Sequence, residues 1–273
     1  MKKKYSCIVC DLDETLLDAT RNIPEINRKA IQKAHEKGVK FVPASGRNYA
    51  SIDRFLKELD LYDLADEYVL SLNGAVITEN KNHRVLKITA IPFEKVKELI
   101  QFGIDAHVCV QLYTDTLAYV YDFDDKERQV FIEEKINFIE VENHDIEFLK
   151  DKTILKVIFE SPDNAYLHSL EPQMEKISSS LNISYSSFRY MEINSKEIDK
   201  GIGTEELAKI LHISTDEILA IGDNFNDEAM LIKAGLAVCP KNAVEEIKNI
   251  CDYVSSKNCS EGAVADILEK FIL

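Results

Sequence analysis

Two aspartates stand two positions apart at the end of an apolar run in "IVCDLDETLLDA", residues 8–19. If the chain stays extended there, Asp11 and Asp13 point to the same side, close enough for one carboxylate to ionise at the other's expense. A divalent cation removes that conflict. Asp223, closing the run "EILAIGD", offers a further carboxylate. An all-oxygen shell of carboxylates and water suits Mg²⁺, whereas zinc takes His and Cys, and the 6 histidines form no H-E-x-x-H or comparable cluster. In "ASGR", Ser45 brings a hydroxyl and Gly46 lets backbone approach closely, while free N–H groups at a helix start suit phosphate. Lys200 adds a point charge matched to a phosphoryl dianion. With a metal in place, Asp11 is a nucleophile able to form an aspartyl phosphate, and Asp13 an acid for the leaving alkoxide and then a base for water.

Taken singly, each piece has a plainer reading. A D-x-D pair after a strand serves as a turn or helix cap, "ASGR" is a common loop, "GDNFND" caps helices, and a lone lysine is a solvated side chain. Their shared place is what counts. In an open parallel sheet, ligands gather beyond the carboxyl ends of the strands near a topological switch point, and all four features fall at such ends.

The elements that must position them follow from hydrophobic periodicity. "YSCIVCD", "VKFVPASGR" and "EYVLSLNGAVI" read as three buried strands, separated by helices over "PEINRKAIQKAHEKG" and "NYASIDRFLKELDL". Buried strands alternating with helices imply a parallel sheet covered on both faces. After about residue 80 the texture changes. "HVCVQLYT" and "TLAYVYD" read as adjacent strands with one solvated face, "FEKVKELIQFGI" and "DNAYLHSLEPQMEKISSSL" as amphipathic helices, and "TILKVIFES" and "ISYSSFRYMEI" as further strands. From about residue 193 the first texture returns, with a helix opened by Lys200, the strand "EILAIGD", the helix "NDEAMLIKAG", the strand "LAVC" and two closing helices. The expectation is one α/β domain over 1–80 and 191–273, split by an inserted α/β domain over 81–190.

Bulk composition narrows the partners. The 273 residues carry a formal net charge of -15 with lysines scattered along the chain, so no basic footprint for nucleic acid or an anionic membrane is visible. The basic start is followed by an apolar run that Asp11 interrupts, short of a signal-peptide core or a membrane span. A cytoplasmic protein, monomeric or a small homo-oligomer, is expected. Its 6 cysteines are sparse and irregular, unlike a disulfide framework. Cys7 and Cys10 form a C-x-x-C, but residues three apart on a strand face opposite sides and cannot jointly grip one ion.

On these residues the chain resembles the haloacid dehalogenase superfamily of phosphatases, in its Cof-like branch, over nearly its whole length. "DLDETLL" is similar to the first motif, "ASGR" to the second, Lys200 with Gly201 to the third and "GDNFND" to the fourth, and "NGA" at residues 73–75 resembles a loop of that branch. The resemblance implies a Rossmann-like three-layer parallel-sheet core with an inserted α/β cap that closes over the site. It also implies Asp11 as nucleophile and metal ligand, and Asp13 as acid/base that binds metal through its backbone carbonyl. Asp223 becomes the second acidic ligand, with Asp227 supporting metal or Lys200. Ser45, Gly46, Lys200, Asn226 and the backbone of Leu12 hold the phosphoryl group, and Arg47 and Asn73 lie nearer the substrate. Two departures stand out: Glu14 where the family has Gly, and Lys241 before "NA" where a small residue is usual. In the inserted segment, His107, Tyr113, Tyr119 and Arg189 are groups to inspect.

The expected activity is Mg²⁺-dependent hydrolysis of phosphomonoesters of small metabolites, sugar phosphates favoured by the resemblance, through an aspartyl phosphate. The alternatives are a phosphohexomutase of the same superfamily and a non-catalytic sensor of phosphorylated ligands. A sensor has no need of both Asp11 and Asp13. A response-regulator receiver domain has no inserted cap and no use for an acid at position 13.

Overall fold

A computed structural model describes residues 5–134, 136–186 and 188–273. The chain runs β1 (Cys7–Asp11), α1 (Glu25–Glu36), β2 (Lys40–Ala44), α2 (Tyr49–Glu58), β3 (Tyr68–Ser71), β4 (Val76–Glu79) and β5 (Arg84–Ile88). It continues through α3 (Phe93–Asp105), β6 (Cys109–Tyr113), β7 (Ala118–Tyr121), α4 (Asp125–Glu133), β8 (Phe138–Glu140), β9 (Lys156–Glu160), α5 (Asn164–Leu170), α6 (Glu175–Ser178), β10 (Leu181–Ser186) and β11 (Tyr190–Ser195). It closes with α7 (Lys200–Leu211), β12 (Ile218–Ile221), α8 (Glu228–Lys233), β13 (Leu236–Cys239), α9 (Glu245–Ile250), β14 (Tyr253–Val254) and α10 (Ala263–Phe271).

The chain forms two units, one reaching Ile88 and resuming at Ile198, the other Thr89–Glu197. The first holds an eight-stranded sheet in the order β14-β13-β12-β1-β2-β3-β4-β5. Its first six strands are parallel, and β4 and β5 extend it as antiparallel edge strands. Alternation along β1 sorts the layers. Ile8 and Cys10 pack with α1, α2 and α10, whereas Cys7 and Val9 pack with residues of α7, α8 and α9. The two thiols of the C-x-x-C therefore lie on opposite faces, and burial pushes the Cys7 thiol up to about 12. Sequence order reverses between β1 and β12, and that switch point is where a doubly wound sheet opens a crevice.

Two sequence expectations change in this unit. "EYVLSLNGAVI" is a hairpin instead of one strand, because Leu72, Asn73 and Gly74 all take positive φ and turn the chain back on itself. The boundaries also move, to 88/89 from 80/81 and to 197/198 from 190/191. The residues 84–88 pair with β4 and so belong to the first sheet, while β11 pairs with β9 and β10 in the second.

The second unit is a six-stranded sheet, β10-β11-β9-β6-β7-β8, antiparallel except for the β7–β8 pair. Residues of α3 and α5 bury one face with Val110, Leu112, Val157 and Phe159, and Phe131 of α4 packs on Cys109, Ala118 and Val120 of the other. The expected long helix over "DNAYLHSLEPQMEKISSSL" is broken by a 3₁₀ turn at Glu171–Met174, where Pro172 cannot supply an interior N–H. No helix among the described residues is long and apolar enough to cross a membrane.

The start of α7 is pressed into the first unit. A Cβ on Gly201 would lie 2.6 Å from the Ala229 carbonyl oxygen, and a Cβ on Gly74, at φ +88°, would lie as close to the Asp199 carbonyl oxygen. Gly201→Ala is expected to destabilise the protein by about 1–3 kcal/mol, measurable by denaturant unfolding, because α7 and α8 must separate to admit the methyl group.

Candidate active site

The alternation of β1 sets the first side chain. Odd positions face α7 and α8, so Asp11 projects toward the helix that Lys200 opens. Asp199 caps that helix, its carboxylate accepting from the Ile202 amide at 2.7 Å. Lys200 is wholly buried, and its Nζ donates to Asp11 Oδ1 at 2.5 Å and to Asp227 Oδ1 at 2.6 Å. Their pull keeps Lys200 charged, raising its pKa although burial alone would lower it.

After β12 the chain turns at Asp223, and the other oxygen of Asp227, Oδ2, accepts from the Asp223 and Asn224 amides at 2.9 and 3.2 Å. Asp227 thus ties α7 to this turn with both oxygens. Asp223 Oδ1 accepts from the Thr15 hydroxyl at 2.6 Å. Carboxylate oxygens of Asp11, Asp223 and Asp227 lie within 4.8 Å of one another. Three buried carboxylates face one buried ammonium, an imbalance that a cation resolves. Burial pushes Asp11 upward against the opposing pull of Lys200, with Asp227 and Asp223 adding to the rise. The donors are all oxygen, which fits a hard cation such as Mg²⁺. With Asp227 committed to Lys200 and two amides, Asp11 and Asp223 are the carboxylates left to hold it.

Burial, helped by the charges of Asp227 and Glu14, lifts Asp223 to about 6 despite the Thr15 hydrogen bond. Its folded pKa thus exceeds the unfolded carboxylate value near 4, so the folded protein binds more protons between these limits. Metal-free protein is therefore expected to lose stability as pH rises from about 4 to about 6. Unfolding in EDTA across that range checks the slope, and Asp223→Asn flattens it.

Asp13 does not join this cluster. Past β1 the chain leaves the strand in an irregular turn over Leu12–Leu16, in which Glu14 takes φ +61°. The Asp13 carboxylate, half exposed, is gripped in bidentate fashion by Arg47 at 2.5 and 2.8 Å. Although burial raises its pKa, the Arg47 hydrogen bonds and charge outweigh that and leave it below the ordinary carboxylate range. The expected repulsion between Asp11 and Asp13 is absent because each carboxylate has its own cation.

The β2 end brings Ser45, buried, whose hydroxyl accepts from the Arg47 amide at 3.2 Å, and whose carbonyl accepts from the Asn73 amide at 2.9 Å. Gly46 faces the Asn73 side chain, 3.3 Å from where a Cβ would stand. Asn73 Oδ1 is buried with no partner among the described residues, a polar atom open to a ligand. Leu12 is buried, and Asn226 lies exposed on the turn that carries Asp223 and Asp227.

Sequence reasoning missed Thr15, buried beneath Asp223, because a hydroxyl inside a turn carries no signal of its own. Asp18, outside the site, accepts at Oδ1 from Thr20 and Asn22 in a surface turn. In the second unit, Tyr119 is buried in the apolar cluster, and Arg189 pairs with Glu127 and Glu160 at 3.0 and 2.7 Å. The Tyr113 hydroxyl donates to Gln111, and His107 sits in a positive-φ turn before β6.

A family model described as haloacid dehalogenase-like hydrolase matches residues 8–268. The 5-amino-6-(5-phospho-D-ribitylamino)uracil phosphatase YcsE of Bacillus subtilis is 26% identical over 97% of this chain and 95% of its own length. A haloacid dehalogenase-like hydrolase of Bacteroides thetaiotaomicron superposes with a TM-score of 0.85 at 26% identity, covering 98% and 99% of the two chains. TM0651 of Thermotoga maritima does so with a TM-score of 0.85 at 26% identity over 97% of each.

Proposed function

Because this chain belongs to the haloacid dehalogenase-like hydrolase family, we propose that it is a magnesium-dependent phosphatase that cleaves phosphomonoesters of small metabolites, sugar phosphates foremost, through an aspartyl phosphate on Asp11. The observation that carries it is the buried Asp11 carboxylate at the end of β1, bonded to the buried ammonium of Lys200 and within 4.8 Å of two further carboxylates. The sugar-phosphate preference draws on the YcsE relative, whose named substrate carries a phosphorylated ribityl chain.

Lys200 occupies Oδ1 of Asp11 and leaves Oδ2 to attack phosphorus. An anionic ester draws the Arg47 guanidinium away from Asp13, which then takes a proton from solvent; as the Oδ2–P bond forms, the bond from phosphorus to the ester oxygen breaks, and Asp13 gives that oxygen this proton. Asp13 then takes a proton from the water that attacks the aspartyl phosphate, releasing inorganic phosphate and freeing Asp11. Arg47 holds Asp13 as a carboxylate until an anionic ester competes for the guanidinium, which makes Arg47 a substrate-responsive group. Ser45, Gly46, Asn226 and the Leu12 backbone bind the phosphoryl oxygens, with Lys200 holding the charge behind them. Asn73 Oδ1 accepts a substrate hydroxyl. Asp11, the Asp13 backbone carbonyl and Asp223 would hold Mg²⁺, which would supply positive charge to the phosphoryl group. The inserted unit acts as the specificity domain. The free thiols suit a reducing compartment such as the cytoplasm.

The test is a panel of phosphorylated metabolites assayed for phosphate release with Mg²⁺ and with EDTA. Release that depends on the metal is expected, fastest among sugar and polyol phosphates. Absence of release from every ester would sink the proposal, and release undiminished by EDTA would sink its metal.

A further inference from the structure

The turn that carries Asp13 is not self-supporting. Between Asp11 and Leu17 the backbone departs from both strand and helix: Asp13 lies at φ -73°, ψ 126°, and Glu14 at φ 61°, ψ 6°. A non-glycine residue persists in that left-handed region only where its surroundings over-determine it. At the end of the turn, Leu17 N–H donates to the Leu12 carbonyl at 2.8 Å. Side chains tie the turn to the rest of the unit: Arg47 holds the Asp13 carboxylate, Thr15 bonds Asp223, and two asparagines distant in sequence hold its backbone, each using its amide as a double-ended staple.

Asn27, wholly buried on α1, donates to the Leu16 carbonyl at 3.3 Å and accepts from the Ala265 amide at 2.9 Å. It secures the far end of the turn. Asn242, in the loop after β13, secures the near end. Its Nδ2 donates to the Glu14 carbonyl at 2.7 Å, and its Oδ1 accepts from the Cys259 amide at 2.8 Å. The loop that presents it is anchored in turn, with Lys241 N–H on the Lys257 carbonyl at 2.9 Å and Val244 N–H on the Asp223 carbonyl at 3.0 Å. One short segment therefore bonds to the backbone on both sides of the acidic cluster, at Asp223 and at Glu14.

We propose that Asn242 is a positioning residue for Asp13: by gripping the Glu14 carbonyl it holds the left-handed turn that aims the Asp13 carboxyl at the leaving oxygen. The inference rests on the proposed role of Asp13 as proton donor. When the grip is lost, Glu14 relaxes toward negative φ and the backbone at Asp13 swings with it, while Asp11, fixed in β1 and paired with Lys200, stays in place. The resulting defect falls on proton delivery and spares attack.

That asymmetry is readable in kcat/KM, which reports steps up to loss of the leaving group. An alkyl phosphate expels a basic alkoxide that needs the proton, whereas p-nitrophenyl phosphate expels a stable phenolate that does not. Wild type, Asn242→Ala, Asn242→Asp and Asp13→Ala are compared on the fastest alkyl phosphate of the panel and on p-nitrophenyl phosphate, with Mg²⁺. Asn242→Asp keeps the acceptor for Cys259 and removes the donor to Glu14. Both Asn242 variants are expected to lose about 10- to 100-fold on the alkyl ester and under about threefold on the aryl ester. Because Asn242 is exposed, their melting temperatures should stay within a few degrees of wild type. Equal losses on both esters, or no loss, overturn the proposal. If Asp13→Ala itself fails to discriminate between the esters, the proton-donor role fails and the inference falls with it.

Discussion

Phosphate release by Asp11→Asn is expected to fall at least about 10³-fold on every ester, while the metal-free protein unfolds at the same temperature as wild type or higher. Both halves follow from one observation. Asp11 is a carboxylate held where burial disfavours its charge, and the proposed attack on phosphorus needs that oxygen anionic. The amide matches it in shape, still accepts from Lys200 and relieves the crowding of Asp11, Asp223 and Asp227. Activity and stability thus move in opposite directions at this residue, as they do where a site is built at the expense of the fold. Phosphate assays and thermal unfolding in EDTA check the pair of outcomes. Substantial turnover by Asp11→Asn would remove the nucleophile from the proposal.

Lys200→Met should have the larger structural effect. The ammonium is wholly buried and bonds two carboxylates, so its removal strands Asp11 and Asp227 without a counter-charge. Breaking a buried pair from one side costs about 3–5 kcal/mol. The cost depends on pH in a definite direction. Stranded carboxylates have folded pKa values raised above their unfolded ones, so the folded variant recovers stability by binding protons in acid and loses it as pH rises. Denaturant unfolding at pH 5 and pH 8 should therefore show a greater deficit at the higher pH, and turnover should be lost at both. A deficit that is the same at both pH values would mean that Lys200 contributes packing in place of charge.

Much of this was legible in the chain. The strands β1, β2, β12 and β13 are short apolar runs ending in turn signals, and their alternation with amphipathic helices demands a covered parallel sheet. Other elements were hidden for local reasons. The hairpin at Leu72–Gly74 does carry a turn signal, the pair Asn73-Gly74, but the buried apolar residues on both sides of it read as one continuous strand. The strand at 84–88 alternates weakly and sits at the sheet edge, so it read as the start of the insertion.

The sequence by itself determined which groups could do chemistry and that they end strands of one sheet, since residue type and hydrophobic period are local properties. Only the tertiary structure decided how those groups are paired. It gave Asp11 and Asp227 to Lys200, Asp13 to Arg47 and Asp223 to Thr15, and it made Asn242 a support for the Glu14 turn. Pairing depends on where a turn sends each side chain after the strand ends. A single left-handed residue, Glu14, changes that direction without leaving a trace in hydrophobic pattern.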